Sequence, residues 1–371
     1  MELRQTKLEN MVIFNNNFFN TFQNKKVFLT GHTGFKGSWF LALLNILGCQ
    51  VNGYALAPKN EFDLYNLIDG NSLCNSIISD INNITKLKES IIKFQPDFIF
   101  HFAAQPLVID SYLDPLYTFN TNVIGTANLL DCVRFLDKKC NVVIITTDKV
   151  YKDQEWDSPY KEDDILGGYD PYSSSKACSE LVVDSYRNSF FNSKKFNINH
   201  KIGIGVGRAG NVIGGGDWSA NRLIPDIIRA FQDNDKIIVR NPKAVRPWQH
   251  VLDPLLGYLK LAESISLNPT KFSEEFNFGP QNNDVLNVID IIKKSHEYLK
   301  KGKYIIESND NDFKETKLLK LDITKAQEKL GWKPLFNSDK SIIATLDWYK
   351  KYLNKENMKL ETFKFIEKII K

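Results

Sequence analysis

"KVFLTGHTGFKGSWFLALLNIL", Lys26 to Leu47, is the stretch on which the reading of the chain turns. Lys26 to Gly31 is a short β-branched and apolar run that reads as a strand, and the apolar-rich segment from Phe35 to about Leu47 reads as a helix. Between them stand Gly31, Gly34 and Gly37, three residues apart. Glycine lets a backbone turn tightly and come close to a pyrophosphate, while the start of a helix supplies free N–H groups and a partial positive charge. A glycine triplet alone is a weak signal. Placed between a first strand and a first helix, it points to a dinucleotide site.

Outward from this unit, strand and helix patterns alternate. "QVNGYAL", "DFIFHFAA" (97–104), "NVVIITT" (141–147) and "IGIGVGRAG" (202–210) read as strands. Helices are expected over Ile84 to Phe94, over Asn122 to Leu136, and from Pro171 onward. That alternation implies an α/β fold, a doubly wound parallel sheet covered by helices on both faces. Beyond Gly210 the regularity fails. "NVIGGGDWSANR" reads as loop, Leu223 to Gln232 as helix, Lys236 to Val239 as strand, and "SIIATLDWYKKYL" and "LETFKFIEKII" as closing helices. The expected division is a dinucleotide-binding domain over 1–208, with a returning segment at about 248–268. A smaller, discontinuous α/β substrate domain takes 209–247 and 269–371.

Composition narrows the function. The chain has 371 residues, 43% hydrophobic and 25% charged, ample for a large core. A formal charge of +4 is spread without basic blocks, so nucleic acid is not an expected partner. No apolar run approaches the roughly 20 residues of a membrane span. The Asn-rich start carries no small-residue cleavage site, and five cysteines without a CxxC pair fit neither a disulfide framework nor a zinc site. A cytoplasmic protein without metal is expected.

Two further motifs carry chemistry. "ITTDKVY" (145–151) ends a buried strand in Thr147, Asp148 and Lys149. "YSSSK" places Tyr172 and Lys176 one helical turn apart on one face. With 14 tyrosines and 48 basic residues, chance gives nearly two Tyr-xxx-Lys/Arg pairs; this is the one present. A tyrosine must lose its proton near neutrality to act as a base. A cation about 4 Å away, at an effective dielectric of about 20, contributes roughly three pKa units, which brings Tyr172 to about 7.

GHTGFKG, HFAAQPLV, the Asn122 region, TTDKVY, GGYDPYSSSK, RAGNVIGGGDW, RPWQHV and NFGP occur in one order. Together they resemble the extended short-chain dehydrogenase/reductases and, within them, the CDP-glucose branch of the nucleotide-sugar 4,6-dehydratases. The resemblance implies a Rossmann-type fold and NAD as cofactor. NAD would be held by Gly31, Thr33, Gly34, Phe35, Lys36, Gly37, Asp80, Ile81, Ala103, Ala104, Gln105, Tyr172 and Lys176. The tip of the second strand, "GYALAP", has no acid and no Arg, so this position does not choose NAD over NADP. The implied substrate is CDP-glucose, contacted by Gln105, Leu107, Arg208, Asn211, Arg222, Arg246 and Asn277. The implied catalytic set is Thr147, Asp148, Lys149, Tyr172 and Lys176. In that set Tyr172 serves the 4-hydroxyl and Asp148 protonates the departing 6-hydroxyl. Lys149 acts as C5 base or, as the rival role, as electrostatic stabiliser of the enolate. A homodimer or homotetramer is also implied, through helices near 122–136 and 171–191. An epimerase shares the fold and the Tyr–Lys pair but has no need of an acid and base at the strand tip. A UDP-N-acetylglucosamine dehydratase shares the TDK trio, and a non-catalytic dinucleotide sensor is the remaining alternative.

Overall fold

The computed structural model describes residues 16–154, 156, 158–220, 222–233, 235–239, 242, 245–246, 248–282, 284, 286–300, 303–306 and 319–370. Seven strands form the main sheet: β1 (Lys26–Thr30), β2 (Gln50–Ala55), β3 (Asn75–Ile78), β4 (Phe98–His101), β5 (Cys140–Ile145), β6 (Ile202–Ala209) and β7 (Glu275–Phe278). Their spatial order is β7-β6-β5-β4-β1-β2-β3, and every neighbouring pair is parallel. The doubly wound parallel sheet read from the sequence is therefore the fold.

Strand composition explains why the sheet lies in the middle of the molecule. All six residues of β5 are buried, and alternation sends them to opposite faces. Val143 and Ile145 join one core with Val27, Leu29, Phe98 and Phe100. Val142 and Ile144 join the other with Phe28, Ile99, Ile202 and Ile204. The first core is closed by α1 (Phe35–Ile46), and the second by α2 (Ile84–Phe94), α3 (Gly125–Val133) and α4 (Pro171–Ser189). Further along come α5 (Leu223–Gln232), α6 (Leu252–Leu267), α7 (Ser338–Leu353) and α8 (Met358–Ile370). The "GIGVG" alternation of β6 has a packing cause. A Cβ at Gly203 or Gly205 would lie 2.4 or 2.8 Å from Ile265, and one at Gly207 2.6 Å from Tyr258. The bare face of β6 thus lets α6 lie against the sheet.

Three expectations need adjustment. The strand β7 falls inside 269–371, the stretch assigned to the smaller domain, yet it pairs with β6 along Glu275 to Phe278. Its sequence "EFNF" is too short to announce a sheet strand, and only the exposed edge of β6 calls for it. The helix expected from Asn122 is preceded by a short helix, Pro115–Phe119, and a π-helical turn, Asn120–Ile124. Within the expected loop, Val212–Ile213 pairs in parallel with Gln249–His250. Among the described residues no helix is long and apolar enough to cross a membrane.

Gly205→Val should lower the unfolding free energy by about 1–3 kcal/mol or more, because the new methyls must displace α6. Urea denaturation measures it; an unchanged midpoint would contradict the close β6–α6 packing.

Candidate active site

In a parallel sheet every strand delivers its C-terminal end to the same edge, so residues distant in sequence converge there. At the tip of β1, Gly31 adopts φ +73°, and a Cβ on it would stand 2.7 Å from the Ala103 nitrogen. A Cβ on Gly37 would stand 2.0 Å from the Gly31 carbonyl oxygen. Gly34 differs: it is exposed, and its Cβ position meets nothing nearer than 3.4 Å. The first and third glycines thus fold and pack the loop, and the second leaves a bare surface. Gly34 caps α1 without any side-chain cap bond, so the first-turn N–H groups of α1 have no side chain bonded to them. This cradle fits the diphosphate of a dinucleotide.

The other residues expected at the cofactor divide into two groups. Phe35 is half-buried against the core. Thr33 donates its hydroxyl to the Leu56 carbonyl at 2.8 Å, which ties the loop to the tip of β2. One Asp80 oxygen accepts from the Asn82 N–H at 2.8 Å, and the Ile81 side chain is buried in the second core. Ala103 and Ala104 are half-buried just beyond β4, beside Gly31. Gln105 departs from expectation. Its amide donates to the Leu107 carbonyl at 3.0 Å and the Thr118 hydroxyl at 2.8 Å, and its oxygen accepts the Leu107 N–H at 2.6 Å. The side chain folds its own loop rather than facing a ligand. Asn122 completes this brace by accepting the Gln105 N–H and donating to the Ser175 hydroxyl, both at 2.8 Å. No local motif announces the π-helical turn in which Asn122 sits.

β5 ends at Ile145, and a single 3-10 turn, Asp148–Val150, follows with Thr147 as its N-cap. The Thr147 hydroxyl donates to Asp148 Oδ1 at 2.9 Å. Asp148 is buried, and burial raises its pKa above the usual carboxylate range against the pull of Lys149. A carboxyl so placed is suited to hold and give up a proton. Lys149 is half-buried beside Asp148, and its charge acts on that carboxyl. Across from this turn, Asp170 caps α4 by accepting the Ser173 N–H at 2.9 Å, and Pro171 occupies the first helical position. The cap fixes where α4 starts, and thereby sets Tyr172 and Lys176 at the edge of the sheet. Lys176 Nζ donates to the Ile145 carbonyl at 3.2 Å, which fastens α4 to the tip of β5.

The electrostatics correct one expectation. Tyr172 is pushed up to about 12 rather than brought to 7. Burial is the largest cause and Asp148 adds to it, while a hydrogen bond with Thr147 and the Arg222 charge oppose it. Lys176 is itself lowered to about 8 by burial. An ammonium one turn away favours ionisation of the phenol, but desolvation of the phenolate is the larger effect here. Lys36, expected at the cofactor, joins this cluster. It turns inward, its Nζ reaching Tyr258 Oη at 3.3 Å, and its pKa falls to about 7 through burial, Arg222 and Lys176.

The residues expected at the substrate scatter. Arg222 belongs to the cluster, bonded to Asp217 at 3.0 Å and acting on Tyr172 and Lys36. Asn211 is exposed just past β6, next to Gly210, whose Cβ position lies 3.1 Å from Asp148 Oδ2. Leu107 is half-buried beyond β4. Arg208 is a correction. It is 3% exposed, its Nε donates to both Glu180 oxygens at 2.9 Å, and a terminal nitrogen reaches Tyr151 Oη at 2.8 Å. A guanidinium in the all-buried β6 points at α4, and no donor is turned toward a diphosphate. Asn277 is likewise buried, accepting from Tyr151 Oη at 2.7 Å and donating to the Tyr160 carbonyl at 3.0 Å. The backbone of Arg246 pairs with Leu286; its side chain lies outside the described residues. Among the described residues no cluster of metal-ligating side chains occurs.

The family model described as GDP-mannose 4,6 dehydratase matches residues 28–344. CDP-glucose 4,6-dehydratase of Salmonella typhimurium is 44% identical over 339 residues, 91% of this chain and 94% of that protein. UDP-glucose 4-epimerase of Mycoplasma pneumoniae is 27% identical, covering 73% of this chain and 81% of its own. Among solved structures, dTDP-glucose 4,6-dehydratase of Streptomyces venezuelae with NAD bound superposes with a TM-score of 0.71 at 22% identity, covering 89% of this chain and 98% of that one. UDP-glucose 4-epimerase of Thermotoga maritima gives 0.72 at 22%, covering 88% and 99%.

Glu180→Gln should destabilise the fold by about 3–5 kcal/mol, because Arg208 would keep a buried and uncompensated charge. Equilibrium denaturation tests this, and a loss below about 1 kcal/mol would contradict the buried pairing.

Proposed function

The chain belongs to the GDP-mannose 4,6-dehydratase family, and from that premise we propose that it is an NAD-dependent hydro-lyase acting on CDP-glucose in the cytoplasm. The products are CDP-4-keto-6-deoxyglucose and water. The carrying observation is the Thr147–Asp148–Lys149 turn at the same sheet edge as Tyr172 and Lys176, beside a bare glycine cradle. The 44% identity to the Salmonella typhimurium CDP-glucose enzyme supports the choice of nucleotide. An oxidation and return at one carbon needs only the Tyr–Lys pair, so the buried acid points to elimination.

NAD would lie with its diphosphate against the Gly31, Gly34 and Gly37 cradle and would supply a reversible hydride acceptor for the sugar's C4 and C6. The remaining work falls to side chains. Tyr172, hydrogen-bonded to Thr147, removes the 4-hydroxyl proton, and Lys176 stabilises the phenolate. The 4-ketone makes the C5 hydrogen acidic; Lys149 removes it as a proton and gives it back to C5 when hydride reaches C6, which restores Lys149. Asp148, whose pKa burial raises, gives a proton to the leaving 6-hydroxyl. Arg222 serves the diphosphate. In this reading residues 1–208 with 248–268 form the NAD half, now joined by β7, and the remainder forms the nucleotide-sugar half.

The same reading includes a homodimer. Leu113 and Leu116 are 79% and 81% exposed, and Ile109, Ile124 and Leu181 of the adjoining helical surface are exposed as well. A second copy of this surface is the covering partner, through the helices that flank α3 and α4.

Pure protein incubated with NAD and CDP-glucose should yield a product lighter by one water with no net NADH. UDP- and dTDP-sugars should react far more slowly, and equal turnover of a UDP-sugar would overturn the nucleotide assignment. Lys149→Met should stop exchange of the C5 hydrogen with solvent; exchange at the normal rate would exclude both roles for Lys149. The pH profile of kcat/KM should rise as Tyr172 ionises more readily, then flatten near about 8, where Lys176 loses its charge. Leu113→Glu with Leu116→Glu should give a monomer by light scattering, whereas an unchanged mass would remove this surface from the interface.

A further inference from the structure

Around Arg222 the chain is held more firmly than a single guanidinium at the site's flank would need. The preceding segment "GGGDW" (214–218) is clamped between two helices. From α1, Trp39 donates its indole N–H to the Gly215 carbonyl at 2.9 Å. From α7, the Trp348 ring lies so close that a Cβ on Gly215 would stand 1.9 Å from it. Tyr349, also of α7, donates its hydroxyl to the Asp217 carbonyl. Gly216 turns the chain with φ +80°, and the Trp218 ring meets Tyr349 edge-on at 5.3 Å.

Asp217 carries that rigidity to Arg222. It is 4% exposed; its Oδ1 accepts the Ser219 N–H at 3.0 Å, and its Oδ2 accepts from Arg222 Nη1 at 3.0 Å. Among the described residues no second acceptor meets the guanidinium, whose charge acts on Tyr172 and Lys36 across the cluster. Nε and Nη2 remain as the fork that fits phosphate oxygens. Charge alone argues against this arrangement, because a carboxylate beside a phosphate-binding cation subtracts from its pull. Direction is what the carboxylate contributes. A tethered side chain has fewer rotamers to lose when an anion arrives.

We infer that Asp217 is a positioning residue, holding Arg222 by one nitrogen so that the rest of the guanidinium meets the substrate's diphosphate. The inference rests on the nucleotide-sugar reading given above. In this role Asp217 acts through Arg222 and needs no contact with the sugar. Positioning and plain electrostatics predict opposite signs for the loss of its charge, so the two are separable.

Asp217→Asn keeps an oxygen for the Ser219 N–H and leaves the backbone bond to Tyr349 intact, so the variant should keep the parent's near-UV circular dichroism. Isothermal titration of the full chain with CDP, and separately with cytidine, reads the positioning. CDP should bind the variant about tenfold more weakly, and cytidine, which has no phosphate, should bind both proteins alike. In an Arg222→Ala background the same change should alter CDP affinity no further. With CDP-glucose, KM should rise more than kcat falls. The rising limb of kcat/KM should move to higher pH, because a released Arg222 no longer favours the Tyr172 phenolate. Unchanged or tighter CDP binding, or a limb unmoved or moved to lower pH, would overturn the proposal. So would an equal loss for cytidine, or a further loss of CDP affinity in the Arg222→Ala background. A parent that binds no CDP would remove the nucleotide reading and this inference with it, whereas the other outcomes leave that reading standing.

Discussion

The parallel pairing of β1, β4, β5 and β6 is the constraint on which the rest of the molecule depends. Because β5 is buried on both faces, its register against β4 and β6 is fixed by two cores at once, and a slip by one residue would exchange the cores' side chains. That double fixing holds the Thr147–Asp148–Lys149 turn in place. The same pairing brings the glycine loop of β1 and the start of α4 to that edge. Lys176 ties α4 to that edge by donating to the last carbonyl of β5. Chemistry is thereby concentrated where backbone geometry leaves little freedom.

Burial has opposite consequences for the groups gathered there. It raises Asp148, which favours a carboxyl that carries a proton. It raises Tyr172, which works against a phenolate, and lowers Lys176 and Lys36, which weakens the cations able to support one. Ionising Tyr172 therefore calls for further positive charge at the site, which an oxidised nicotinamide ring supplies. A base that becomes effective only when the oxidant is in place ties proton removal to hydride removal. The Arg208–Glu180 pair serves a different purpose, bonding β6 to α4 from beneath, with Thr146 donating to the same carboxylate at 2.6 Å.

The sheet and the places of the candidate catalytic residues were legible in the sequence because each rests on a local pattern. Apolar runs marked the strands, Asp170-Pro171 marked the start of α4, and a spacing of four put Tyr172 and Lys176 on one face. The rest depends on contacts between distant segments. β7 is four residues long and exists because β6 offers an edge. Tyr258 reaches Lys36 across 222 positions, with no motif to announce it. Arg208 looked free for a phosphate because no local pattern tied it to Glu180, 28 positions away. Gln105 likewise spends its amide on its own loop. The glycine alternation of β6 was visible, but its meaning appeared only once α6 lay against it.

The central claim is that one hydride leaves C4 and comes back to C6 of the same sugar while Asp148 expels the 6-hydroxyl. Turnover of CDP-glucose deuterated at C4, with the product read by NMR, tests it most directly. Deuterium at C6 of the keto sugar is the expected result. Deuterium returned to C4, or lost to water with no label at C6, would contradict it.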